Sequence, residues 1–197
     1  MKNSERKIMS INFTPLSKYD ANFVEVIELY KEAFTTVRHV PSWMLKFMMR
    51  KGKPGFSVLY ENNLWIGLLY ITEYKDIVFV HFFAISASYR SKGYGSKVID
   101  AMKEKFAANR IVLNIEELTQ DSANYQQRVK RKAFYQKNGF SSSGYIVKEP
   151  EERLEMLTLN GNIRQEEIQA MYKYLFGGVL GFLYRPKVIK ICSSENE

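Results

Sequence analysis

Phe82-Phe83-Ala84-Ile85-Ser86-Ala87-Ser88-Tyr89-Arg90-Ser91-Lys92-Gly93-Tyr94-Gly95-Ser96 is the stretch on which the reading of this chain turns. The apolar run from Ile77 to Ile85 reads as a buried strand, and beyond the loop Val98, Ile99, Met102 and Phe106 recur at helical spacing. Between strand and helix, Arg90-x-x-Gly93-x-Gly95 can present several backbone N–H groups in one direction. Both glycines can take φ > 0 and carry no Cβ to hold a ligand off the main chain. The helix start adds unpaired N–H groups and the positive end of its dipole. Such a turn cradles a phosphate or pyrophosphate.

Two familiar phosphate motifs are excluded. A dinucleotide fingerprint needs G-x-G-x-x-G, and the third position counted on from Gly93 and Gly95 is Val98. A Walker loop needs G-x-x-x-x-G-K-[ST], which is absent. A plain glycine-bearing strand–helix turn is the third reading of these few residues.

Working outward, three strands lead up to the loop: Phe56–Glu61, Leu64–Glu73 and Ile77–Ser86, with turns at Asn62-Asn63 and Lys75-Asp76. They read as an antiparallel meander. Upstream, Ser10–Leu16 suggests a first strand, and Asp20 can cap a helix whose face carries Phe23, Ile27, Tyr30 and Phe34. Pro41 restarts a short helix containing Trp43, Met44, Phe47 and Met48. Downstream, the spacing predicts a helix over Gly93–Phe106 and a fifth strand over Arg110–Leu118, paired in parallel with the fourth. A basic helix follows from Ala123 to Asn138, with Gly139 as its stop. Tyr145–Lys148 and Arg153–Asn160 read as a closing antiparallel pair.

The fold class expected is α/β (α+β): a mixed, mostly antiparallel seven-stranded sheet flanked by about four helices. Residues 1–160 form the domain and residues 161–197 an extension. In the extension Ile168, Met171, Tyr172 and Leu175 share a helical face. That face suits the domain's own core, a homodimer contact or a membrane surface.

Composition narrows the class. A chain of 197 residues with 46% hydrophobic and 14% aromatic content can bury a core without disulfides. Cys192 is the only cysteine, so no internal disulfide forms, which fits a reducing, cytoplasmic setting. No secretion signal is visible, nor an apolar run of the roughly 20 residues that span a bilayer. The net charge of +8 points to an anionic partner. Nucleic acid is disfavoured, because the basic residues form no long tail and no nucleic-acid module is visible; a phosphorylated cofactor or a solvated basic surface is preferred.

Arg90-Ser91-Lys92-Gly93-Tyr94-Gly95 resembles the [QR]-x-x-G-x-[GA] signature of the GNAT superfamily, the acyl-CoA-dependent N-acyltransferases. Ala133-Phe134-Tyr135-Gln136-Lys137-Asn138-Gly139-Phe140 is similar to that family's later segment, in the expected order and separated by one helix and one strand. The resemblance covers residues 10–160. It implies an acetyl-CoA-dependent N-acetyltransferase with coenzyme A as co-substrate, no metal, and a small-molecule or peptide amine as acceptor. The basic run Arg128, Lys130, Arg131 and Lys132 resembles a branch of small bacterial members.

The resemblance also implies a site. The cofactor arm would lie between the fourth and fifth strands, pairing with the backbone of Phe83, Ala84 and Ile85. The Phe83 N–H would meet the thioester carbonyl. Arg90, Ser91, Lys92, Gly93, Tyr94, Gly95 and Ser96 would hold the pyrophosphate, and Arg131, with Lys132, would reach the ribose phosphate. Tyr135 is the expected general acid for the leaving thiolate. For the general base Glu116 is preferred, Glu117 comes next, and His81 is a third candidate. The acceptor is expected near Phe34, His39 and Trp43. Where many family members carry an asparagine seven residues before the helix tyrosine, this chain has Arg128. A non-catalytic module that binds coenzyme A or a partner is the alternative reading.

Overall fold

The computed structural model describes residues 10–17, 21–33, 55–149, 152–175 and 186–191. Among them are β1 (Ile11–Pro15), α1 (Phe23–Ala33), β2 (Phe56–Glu61), β3 (Leu64–Tyr74), β4 (Ile77–Ile85), α2 (Tyr94–Lys105), β5 (Arg110–Glu116), α3 (Tyr125–Lys137), β6 (Ser141–Lys148), β7 (Arg153–Leu159), α4 (Gln165–Leu175) and β8 (Lys187–Lys190). The helix expected after Pro41 and the acceptor residues Phe34, His39 and Trp43 lie outside the described residues.

The strands form one sheet in the order β1-β2-β3-β4-β5-β7-β6-β8. The β1–β2, β2–β3, β5–β7, β6–β7 and β6–β8 pairings are antiparallel, and β4–β5 is parallel, as a strand–helix–strand passage requires. The sheet thus has one strand more than the seven expected. Lys187-Val188-Ile189-Lys190 pairs with β6 in the register Tyr145↔Lys190 to Lys148↔Lys187. Its alternation is too short to stand out from the apolar stretch around it. Strand β6 begins at Ser141 rather than Tyr145, because the polar Ser141-Ser142 pairs with Thr158 and Leu157 ahead of a register shift. The β2–β3 hairpin turns on Asn62 (φ 49°) and Asn63 (φ 73°), residues that tolerate the left-handed region a two-residue turn demands.

The chain divides into two compact units: Met1–Tyr70 with Phe82–Lys105, and Ile71–His81 with Phe106–Glu197. In the first, α1 buries Val26, Leu29 and Tyr30 against Phe56, Val58, Leu68, Phe82 and Ala84. Tyr30 meets the Phe82 ring edge-on at 5.0 Å. In the second, α4 buries Ile168, Met171 and Tyr172 against Ile77, Phe79, Val112, Leu154, Met156 and Val188. Each fully buried Val, Leu, Ile, Phe or Met among them removes apolar surface worth roughly 1.5–3 kcal/mol.

Candidate acyl-transfer site

Strand β4 ends with Phe83 and Ile85 half-buried and Ala84 buried. A single 3-10 turn over Ala87–Tyr89 carries the chain off the sheet, held by Tyr89 N–H to Ser86 C=O at 2.8 Å. Ser91 (φ 60°) and Gly93 (φ 83°) then sit in the left-handed region, and α2 begins at Tyr94. The reversal aims the first-turn N–H groups of Tyr94, Gly95 and Ser96, which have no acceptor inside the helix. Gly93 carries this conformation without steric cost, and the space a Cβ would occupy there is open to 4 Å. Gly95 lies within the helix and needs no positive φ.

The loop's cations are partly engaged with the protein. Arg90 donates from Nε to the Ile85 carbonyl at 2.9 Å and pairs through a terminal nitrogen with Glu32 Oε1 at 2.9 Å. It braces the turn from the strand side. Lys92 Nζ donates to the Ser88 carbonyl at 2.8 Å. A residue not singled out from the sequence, Lys97, bonds the buried Glu61 at 2.6 Å. Burial, together with a hydrogen bond to Glu61, raises the Tyr94 phenol above its ordinary pKa. Glu61 thereby ties the first turn of α2 to β2. No sequence signal distinguishes this strand-end glutamate from a solvated one.

The second group of candidates gathers where β5 and α3 end. Helix α3 stops in a Schellman arrangement: Phe140 N–H donates to Tyr135 C=O at 3.0 Å and Gly139 N–H to Gln136 C=O at 3.0 Å. Gly139 supplies the φ of 92° that this stop requires. The Phe140 ring meets Tyr135 edge-on at 5.5 Å. The segment quoted from the sequence is thus a helix stop that fixes a buried tyrosine. Burial pushes the Tyr135 phenol up to about 12; Arg131 draws it down and Glu116 pushes it up.

Glu116 and Arg131 form an ion pair. Burial pushes the Glu116 carboxyl up, yet the Arg131 hydrogen bond and charge bring it below the usual range. Glu117 pairs with Arg153, whose Nε lies 2.5 Å from its carboxylate, and this bond lowers its pKa. Glu117 also lines an open cleft of about 290 Å³ with Arg128, Lys148, Glu149 and Glu152. Arg128 spans Asn124 Oδ1 and the Glu117 carbonyl, both at 2.8 Å. Lys132 bonds the buried Glu155 at 2.6 Å. Much of the basic run on α3 therefore answers partners within the fold.

His81 is half-buried on β4, with Nε2 at 2.9 Å from Thr72 Oγ1 and its ring edge-on to Phe79 at 4.6 Å. The structure thus brings Tyr135, Glu116 and Arg131 together, while Glu117 and His81 each have a separate set of neighbours. Among the described residues no group of three or more His, Cys, Asp or Glu is arranged to hold a metal.

Residues 53–142 match the model of the acetyltransferase (GNAT) domain. That match marks this stretch as a GNAT acetyltransferase domain, of a family of acyltransferase enzymes. The GNAT family implies acetyl-CoA-dependent acetylation. No curated protein matches the chain. Solved structures share the GNAT fold. One is described as a GNAT-family acetyltransferase from Bacteroides thetaiotaomicron; it is 21% identical with a TM-score of 0.69, covering 86% of this chain and 98% of its own. An aminoglycoside 6'-N-acetyltransferase complexed with coenzyme A is 12% identical with a TM-score of 0.56, covering 76% and 96%. Naa50 from Arabidopsis thaliana, in complex with the bisubstrate analogue CoA-Ac-MVNAL, is 17% identical with a TM-score of 0.51, covering 77% and 99%. No helix among the described residues is long and apolar enough to cross a membrane.

Proposed function

We propose that this GNAT domain transfers an acetyl group from acetyl-CoA directly to a primary amine of a small molecule or a peptide. The observation that carries this reading is the Ser86–Ser96 turn. There two left-handed positions, Ser91 and Gly93, flank Lys92 just before a helix start whose N–H groups can meet an anion, with open space at Gly93.

Acetyl-CoA supplies a thioester with a good leaving group, and the protein supplies its orientation and two proton movements. Main-chain N–H groups from Lys92 to Ser96 hold the diphosphate, and the Phe83 N–H polarises the carbonyl. Tyr135 O–H, which stays protonated throughout the neutral range, gives its proton to the leaving sulfur. Such a donor contributes about 10²–10⁴ in rate.

His81 is the base that the geometry favours. Glu116 and Glu117 are both arginine-bound with depressed pKa values, so neither competes well for an ammonium proton. His81 instead meets the neutral Thr72 hydroxyl, which fixes its ring. His81 lies two residues before Phe83 along β4. The same neutralised carboxylates favour the second reading, a module that binds coenzyme A without chemistry. Helix α4 and strand β8 we assign to the domain rather than to a partner subunit, on the burial of Ile168, Met171, Tyr172 and Val188.

The test is thiol release from acetyl-CoA over a panel of primary amines and peptides, with Tyr135→Phe beside the native protein. Turnover lost in the variant, with acetyl-CoA still bound, supports transfer. Binding with no turnover on any amine selects the non-catalytic module. No binding at near-millimolar acetyl-CoA overturns both.

A further inference from the structure

The parallel ladder between β4 and β5 runs from Ile77↔Arg110 to Val80↔Leu113 and ends there, although β4 continues to Ile85 and β5 to Glu116. The first residues past the last pair are His81 and Asn114. Tyr172, on α4, is held to both strands at this point. Its hydroxyl accepts a hydrogen bond from Asn114 Nδ2 at 2.6 Å. Its ring meets Phe79 at 5.7 Å and 62°, and Phe79 in turn meets His81 at 4.6 Å and 76°. Tyr172 is itself buried among Phe79, Val112 and Met156.

We infer that Tyr172 is a positioning residue of the acyl-transfer site, fixing Asn114 by its hydroxyl and His81 through the Phe79 ring. This rests on the reading of His81 as the base. Past the last pair β4 and β5 no longer fix one another. Strand β5 stays paired with β7 at Asn114↔Met156, and His81 keeps its contact with Thr72, so across the opened side the Tyr172 contacts link Asn114 and His81. The chain shows what that loss leaves behind. Asn114 Oδ1 is buried and accepts no hydrogen bond among the described residues, so the bond from Nδ2 to Tyr172 is the hydrogen bond that orients its amide there. Asn114 also shares the face of β5 that carries Glu116, the partner of Arg131. The C-terminal helix thereby belongs to the functional machinery, although it lies beyond the matched residues 53–142.

The two arms separate experimentally in the full-length chain. Tyr172→Phe removes the hydroxyl and keeps the ring; Tyr172→Leu removes both. The probes are the kinetics with acetyl-CoA and the best amine of the panel, and the His81 ring resonances by ¹H–¹⁵N NMR at one pH. The chain has only two histidines, so the signals separate readily. Tyr172→Phe should lower kcat about tenfold, leave the KM for acetyl-CoA within twofold, and leave the His81 resonances in place. Tyr172→Leu should shift those resonances and lower kcat further. Variants that lose thermal stability yet keep both kcat and the His81 spectrum overturn the inference. If no amine is turned over, the proposed activity fails, while the His81 shift in Tyr172→Leu still decides the positioning. Should Tyr172→Leu not fold, Phe79→Leu breaks the same ring relay with Tyr172 in place, and an unmoved His81 spectrum there is equally fatal.

Discussion

Phe140 and Tyr135 close the C-terminus of α3 on each other, by an N–H to C=O bond of 3.0 Å and an edge-on ring contact at 5.5 Å. Gly139, between them in the stop, holds φ at 92° with the Leu159 side chain 3.3 Å from where a Cβ would sit. Gly139→Ala therefore meets both backbone strain, about 1–2 kcal/mol, and a crowded neighbour. The expected result is a thermal midpoint several degrees lower and a fall in kcat larger than any change in KM, because Tyr135 loses its fixed seat. Steady-state kinetics beside a melting curve read both.

Removing the phenol itself separates chemistry from folding. Tyr135→Phe keeps the ring contact with Phe140 and deletes only the proton that burial holds up to about 12. We expect kcat to fall about 10²–10⁴-fold with acetyl-CoA affinity unchanged. The native enzyme should show no alkaline limb from this group below about pH 10, since the phenol remains protonated there.

The base assignment predicts which side chain the rate depends on. Glu116 and Glu117 are each tied to an arginine that lowers the carboxyl pKa. His81→Asn should lower kcat/KM about 10²-fold or more. Glu116→Gln and Glu117→Gln should cost less than tenfold. A loss of 10²-fold in Glu116→Gln would move the base to that carboxylate.

Much of this architecture was legible because local chemistry decided it. The meander announced itself through Asn62-Asn63 and Lys75-Asp76, whose positive φ values at Asn62, Asn63 and Lys75 are what such turns need. The glycine loop and the helix stop at Gly139 were equally readable, being contiguous in sequence. The missing parts are those set by distant partners. Strand β8 takes its identity from pairing with β6, not from its own four residues. The arginines on Glu116 and Glu117 come from α3 and β7, so the sequence could show two carboxylates but not their neutralisation. Tyr172 looked like one more apolar position on a helix, and nothing in its spacing revealed the bond to Asn114.

The acid stability of the second unit should rest on one arginine. Arg110 holds Asp76 through two hydrogen bonds of 2.8 and 3.0 Å, Glu167 through bonds of 2.8 and 3.2 Å, and the Asn162 carbonyl at 2.7 Å. It joins the β3–β4 turn and the start of β5 to the first turn of α4, where Glu167 also accepts from the Arg164 N–H at 2.9 Å. The Arg110 hydrogen bond, followed by that from Arg164, draws Glu167 from its usual 4.5 down to about 2, and Asp76 is lowered by the same arginine. A carboxylate with a depressed folded-state pKa contributes fully above its unfolded value and loses that contribution as pH falls through the folded one. Stability from this cluster should therefore be whole above pH 5 and disappear between about pH 4.5 and 2. Glu167→Gln should cost on the order of 1–2 kcal/mol at pH 7, because the pair is only partly shielded from solvent, and only a small part of that near pH 2. Asp100→Asn, which cuts the exposed Lys103–Asp100 pair, is the matched control and should shift the urea midpoint by no more than a few tenths of a kcal/mol. Urea titrations of all three proteins at pH 7, 4 and 2.5 decide it: a Glu167→Gln deficit as large at pH 2.5 as at pH 7 would mean that packing around α4, not the charge on Glu167, holds this corner together.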